Sequence, residues 1–134
     1  LQVTIEDGSL VYIYLRRGNA GDYMIPELRC ELLFDAEEQW LGLRVYGETL
    51  DDGLPVELPR ISALTEIPPG VSLTRQDNQV ELLFDQHRPI ARKVVVDGSI
   101  DAYHERLNGI ELILPLGYLQ GKTARVEPFC ESID

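Results

Sequence analysis

Apolar and polar positions alternate with period two along most of the chain, the signature of half-buried strands. Val11, Ile13 and Leu15 alternate with Leu10, Tyr12 and Tyr14, and this run follows Val3 to Ile5 across Glu6-Asp7-Gly8-Ser9. That composition suits a tight turn and predicts an N-terminal hairpin. Leu28, Cys30, Leu32 and Phe34 alternate with Arg29, Glu31 and Leu33. After Asp35-Ala36-Glu37-Glu38, Leu41, Leu43 and Val45 then alternate with Gly42, Arg44 and Tyr46, which predicts a second hairpin.

From Gly47 to Gly70 the texture changes. Pro55, Pro59, Pro68 and Pro69 and the acidic turn Asp51-Asp52-Gly53 mark a connector, because proline cannot donate to a sheet ladder. Strand texture then returns in Val71 to Leu73, in Val80-Leu82-Phe84 beyond the turn Gln76-Asp77-Asn78, in Val94-Val96, in Ile100 to Leu107 and in Ile110-Leu112-Leu114. Asp97-Gly98 and Asn108-Gly109 read as hairpin turns needing positive φ. A last strand is predicted over Ala124 to Glu127, with a frayed tail from Glu131 to Asp134. No stretch shows sustained helical periodicity.

The chain looks duplicated. Glu31-Leu32-Leu33-Phe34-Asp35 recurs letter for letter as Glu81-Leu82-Leu83-Phe84-Asp85. The order of elements favours another register, with Val11 to Leu15 laid on Val80 to Phe84 and Trp40 to Val45 laid on Leu107 to Leu112. The five-letter match is then coincidence between similar strands. The resulting expectation is an all-β protein, an antiparallel sandwich or rolled sheet of about ten short strands. Residues 1–50 and 71–134 would be diverged repeats and 51–70 a proline-rich connector, all in one compact unit.

Composition narrows the function classes. With 134 residues and a 44% hydrophobic content, the chain can bury a core without staples. The net charge is −11, from 23 acidic and 12 basic residues, and most of the excess falls before Ile67. Such a field disfavours nucleic acid and anionic lipid and favours a basic partner. No apolar run approaches the roughly 20 residues of a membrane-spanning helix, and Leu1 to Ile5 reads as a strand and not as a signal peptide. Cys30 falls on an apolar strand face, so a reduced thiol and a cytoplasmic location are expected, with a long-range disulfide to Cys130 as the alternative.

The strand residues Tyr12-Ile13-Tyr14-Leu15, the Asp35 turn and Leu41-Gly42-Leu43-Arg44-Val45 together resemble a short bacterial and archaeal domain of unknown function. That family shows a Y-I-x-L strand, an acidic turn and a G-I-E-I-L strand. In the second half Asn108-Gly109-Ile110-Glu111-Leu112-Ile113-Leu114 matches the closing element, whereas Glu81-Leu82-Leu83-Phe84 replaces Y-I-x-L. The resemblance implies a fold, a microbial origin and, from the family's occasional toxin-like gene neighbours, an antitoxin-like role. A weaker similarity links Asn108 through Pro115 to the last strand of small heat-shock sandwiches, N-G-V-L-x-I-x-L-P, which is one residue longer.

Candidate chemistry is sparse. Asp97, Asp101, His104 and Glu105 form the only cluster of metal-capable and proton-transfer groups, although on one strand His104 would face away from Asp101 and Glu105. His87, Arg88, Arg92 and Lys93 form one basic island. Familiar nucleophile, phosphate-loop and zinc signatures are absent, and no cofactor is implied. Tyr12, Tyr14, Trp40 and Tyr46 share strand parity and line either one interface or the inside of a second layer. The leading expectation is therefore a noncatalytic protein-interaction module with a basic partner, and exposed sheet edges predict a homodimer. The alternatives are a small metal-dependent enzyme or ligand-binding β protein built on the Asp97 region, and a heat-shock-like chaperone sandwich.

Overall fold

In the computed structural model, which describes residues 1–16 and 21–133, the strands are β1 (Gln2–Glu6), β2 (Leu10–Tyr14), β3 (Tyr23–Phe34), β4 (Trp40–Thr49), β5 (Arg60–Ile61), β6 (Ser72–Gln76), β7 (Gln79–Leu83), β8 (Arg92–Tyr103), β9 (Arg106–Ile113) and β10 (Cys130–Ile133). A single 3₁₀ turn, Glu127–Phe129, precedes β10. The strands form one curled sheet in the order β10-β1-β2-β9-β8-β3-β4-β7-β6, and β5 runs parallel to the start of β9. The fold is all-β, and of the two expected arrangements it is the rolled sheet.

The inner face collects every second residue of the long strands. Val11 and Ile13 of β2, Cys30 and Leu32 of β3, Leu43 and Val45 of β4, Val80 and Leu82 of β7, Ile100 of β8 and Ile110 and Leu112 of β9 are all at most 2% exposed. Curling the sheet brings these rows together into one core, closed at one end by Leu119 and Val126. Period-two burial with no helix to cover the outer face is what the alternating sequence demands.

The strand order has an internal symmetry. With β1-β2-β3-β4 set against β6-β7-β8-β9, the path β1-β2-β9-β8-β3-β4-β7-β6 reads the same from either end once counterparts are exchanged. The pairing follows the register that lays Val11 on Val80 and Gly42 on Gly109: Tyr14 pairs with Gly109 as Leu83 pairs with Gly42. Loop hydrogen bonds recur as well. Leu15 N donates to Asn108 O at 3.0 Å and Phe84 N to Leu41 O at 2.8 Å, while Asp22 N donates to Ala102 O and Ala91 N to Phe34 O, both at 2.8 Å. The identical segments 31–35 and 81–85 lie on β3 and β7, which are not counterparts.

Each half gives its hairpin to the other half's fourth strand, through β2–β9 and β7–β4, and the third strands pair through β3–β8. Neither half completes its own sheet, so the two fold as one unit.

Several local expectations are corrected. Asp97-Gly98 and Asn108-Gly109 are inside β8 and β9, and the turn between those strands is His104-Glu105, with φ of 50° and 62°. The two glycines answer close approach and not turn geometry. A Cβ on Gly109 would lie 2.6 Å from the Tyr12 hydroxyl, and one on Gly98 would overlap Cys30 Sγ. The last strand is β10, beside β1, and not Ala124 to Glu127. Ser132 and Ile133 are therefore paired, with Thr4 and Ile5, and only residue 134 of the tail expected to fray lies outside the described residues.

Candidate functional site

The four aromatic residues expected in one row are placed on two different faces. Tyr12, Tyr14 and Tyr46 carry the parity opposite the core, and Tyr14 is 39% exposed. Trp40 is fully buried, edge-on to Phe84 at 4.8 Å, and its indole N–H donates to Gly42 O at 2.8 Å. The reason is a β-bulge: Leu33 pairs with Gly42 and Phe34 with Trp40, so Leu41 is an extra residue that reverses the parity of Trp40. Tyr46 lies on β4, away from Tyr12 and Tyr14, and its hydroxyl donates to Glu31.

The expected metal cluster is dispersed. Asp97 and Asp101 lie on the outer face of β8, whereas His104 and Glu105 sit in the exposed turn beyond it. Among the described residues no group of three His, Cys, Asp or Glu side chains is placed to hold a metal ion. Two members of the basic island are paired locally, Arg88 with Asp85 and Glu37 and Arg92 with Glu38.

Two depressions adjoin on the outer face of β1, β2, β9 and β8. One of about 340 Å³ is floored by Leu10, Tyr12 and Ile113, and the other, about 160 Å³, by Asp97, Ser99 and Pro26, with Glu111 and Ile113 common to both. Leu10 and Ile113 pair directly across β2 and β9 and are 46% and 66% exposed. Glu6, Glu27, Asp97 and Glu111 surround them, no basic residue lines either depression, and none of the four carboxylates makes an ion pair among the described residues. Arg29, opposite Asp97, is stacked on the Tyr46 ring at 5.5 Å instead.

At the end of this surface Asp101 accepts hydrogen bonds from the Tyr12 hydroxyl at 2.6 Å and from Asn108 Nδ2 at 3.1 Å. Burial first, and then the Asp101 carboxylate, push the Tyr12 phenol well above its ordinary value, so it remains a neutral donor. The Tyr12 and Tyr14 rings lie 4.3 Å apart. Sequence reading placed Asp101 in a metal cluster and the tyrosines in an interface. Their junction is not legible in the sequence, because a turn at Asn108-Gly109 removes the strand that joins them.

A larger depression, about 440 Å³, separates the Asp7-Gly8 turn from residues 116–123, but Asp7 is its only ionisable lining residue. It offers shape with little chemistry.

No family model, curated protein or solved structure matches this chain. The geometry alone therefore carries the functional argument. Among the described residues no helix is long and apolar enough to cross a membrane. Cys30 and Cys130 are free thiols, and burial pushes them up to about 12 and about 11. Neither has the depressed value of a reactive nucleophile.

Proposed function

We propose that the protein is a noncatalytic interaction module whose outer β2–β9–β8 face docks a basic, apolar-anchored segment of a protein partner. The observation that carries this reading is the exposed Leu10–Ile113 pair inside a rim of four carboxylates, with no basic residue lining it among the described residues. Apolar side chains of the partner would cover Leu10 and Ile113, and its lysines or arginines would meet Glu6, Glu27, Asp97 and Glu111. Apolar area supplies affinity, while the rim supplies orientation, rate of encounter and rejection of acidic competitors. Two free thiols fit a cytoplasmic setting.

The test is titration of the intact protein with a fluorescent decapeptide of alternating lysine and leucine, beside its glutamate–leucine counterpart. Binding of the basic peptide alone, weakened at least tenfold by Ile113→Glu and steeply reduced by salt, supports the reading. Equal binding to parent and variant overturns it, because the peptide would then be held by diffuse charge and not by this face.

A further inference from the structure

The internal symmetry makes β1 and β6 counterparts, yet their outer edges differ. That of β1 is covered by β10, which pairs with it in parallel. β6 ends the sheet on the other side, and β7 is its one strand neighbour among the described residues. Residues 62–71, which lie between β5 and β6, hold no strand, and Pro68 and Pro69 lack the donors a ladder needs. One half therefore has its edge closed from within the chain and the other does not.

The open edge is regular. Asp77 and Asn78 have φ of 51° and 57°, a two-residue type I′ turn, and the β6–β7 ladder runs from Gln76 opposite Gln79 to Ser72 opposite Leu83 with no register shift. In such a hairpin Gln76, Thr74 and Ser72 exchange their hydrogen bonds with β7, so the N–H and C=O groups of Leu73 and Arg75 point out of the sheet. Among the described residues no other backbone segment is hydrogen-bonded to them. Edges of this kind are commonly guarded by charge or by bulges. β6 has no carboxylate, and its one charge is turned inward: Arg75 lies opposite the buried Val80 and donates to Leu58 O at 2.8 Å and Pro59 O at 3.2 Å. The edge at β10, by contrast, bears the exposed Glu131, and a bulge between Val3 and Thr4 breaks its ladder.

We propose that β6 pairs antiparallel with β6 of a second copy, about a two-fold axis through Thr74. That register sets Leu73 opposite the partner's Arg75 and Arg75 opposite the partner's Leu73, so every outward N–H and C=O of these residues finds its complement. The exposed Thr74 meets the partner's Thr74, a favourable cross-strand match of β-branched residues. The occupant is a second copy and not the basic segment of the docking reading. β6 offers a cation no carboxylate, whereas two β6 strands meet with no like charges directly opposed, in a chain whose net charge of −11 sets most other surfaces against one another.

The test is the mass of the intact protein by sedimentation equilibrium from micromolar to millimolar concentration. The expected result is a rise from the single-chain mass to twice that value, because so small an interface gives a weak dimer. Thr74→Lys removes no buried contact and faces Glu81 within its own chain, but it opposes two ammonium groups at the axis and should weaken association about tenfold. Thr74→Cys should form a disulfide-linked dimer under oxidised glutathione, since residues opposed in this way lie about 4.5 Å apart at Cα, and Gln76→Cys should not. A constant single-chain mass, association untouched by Thr74→Lys, or equal cross-linking of the two cysteine variants would overturn the proposal. So would a protein that stays single-chain while the lysine–leucine decapeptide shifts the Leu73 and Arg75 amides, which would give the edge to another strand. Thr74→Lys leaves Leu10 and Ile113 in place, so decapeptide binding should persist in it, and the failure of either reading is visible apart from the other.

Discussion

The Tyr12 hydroxyl reaches Asp101 at 2.6 Å by crossing Gly109, the residue of β9 that pairs with both Tyr14 and Asp101. The phenol ring lies where a Cβ of residue 109 would be, 2.6 to 2.8 Å from its nearest atoms. Gly109→Ala should therefore expel the ring, break the bond to Asp101 and cost about 1–3 kcal/mol through overpacking. A urea midpoint reads the cost, and Tyr12→Phe should lower stability less, because the ring stays in place.

Trp40 is the only tryptophan and is wholly buried, so it reports the core directly. Trp40→Ala should remove about 3–5 kcal/mol of stability by leaving a cavity against Phe84. In the parent, Trp40 fluorescence should be blue-shifted and poorly quenched by acrylamide until the protein unfolds. Ready quenching of the native state would contradict its place in the core.

Asp35 gives the fold an acid limit. Burial alone would raise its carboxyl, but the Arg125 guanidinium at 2.7 Å and the backbone N–H groups of Gln39 and Glu37 outweigh it and hold it below the ordinary value. Because the folded value is depressed, this stabilisation is complete above the unfolded carboxyl's pKa of about 4 and is lost as pH falls through the folded value. Asp35→Asn should lower the urea midpoint at pH 7, with the gap from the parent closing on acidification. A gap that stays constant between neutral and strongly acid pH would show that the ion pair is not its source.

The strands were legible because most of the long ones bury alternate residues, from Val11-Ile13 to Ile110-Leu112. The strand pairing repeats under the register that lays Gly42 on Gly109, since Leu83 pairs with Gly42 as Tyr14 pairs with Gly109. What a single sequence hides is the third dimension of a residue type. Glycine after Asp97 and Asn108 looks like a turn, yet it makes room for Cys30 Sγ and the Tyr12 ring. A bulge at Leu41 similarly inverts Trp40, because parity arguments assume an unbroken ladder. The site was hidden for a related reason: Tyr12, Asp101 and Asn108 lie far apart in sequence and meet only because each half lends its hairpin to the other.

The two halves of the outer face provide the decisive comparison, one holding Arg44 between Glu31 and Glu81 and the other holding Glu111 with no ion pair among the described residues. The most direct measurement is an amide shift map of the intact protein titrated with the lysine–leucine decapeptide. The account predicts shifts concentrated at Leu10, Tyr12, Gly109, Glu111 and Ile113, with the counterpart positions Gln79, Glu81, Gly42, Arg44 and Tyr46 nearly unmoved. Equal shifts on both faces, or a response centred on Arg44, would contradict it.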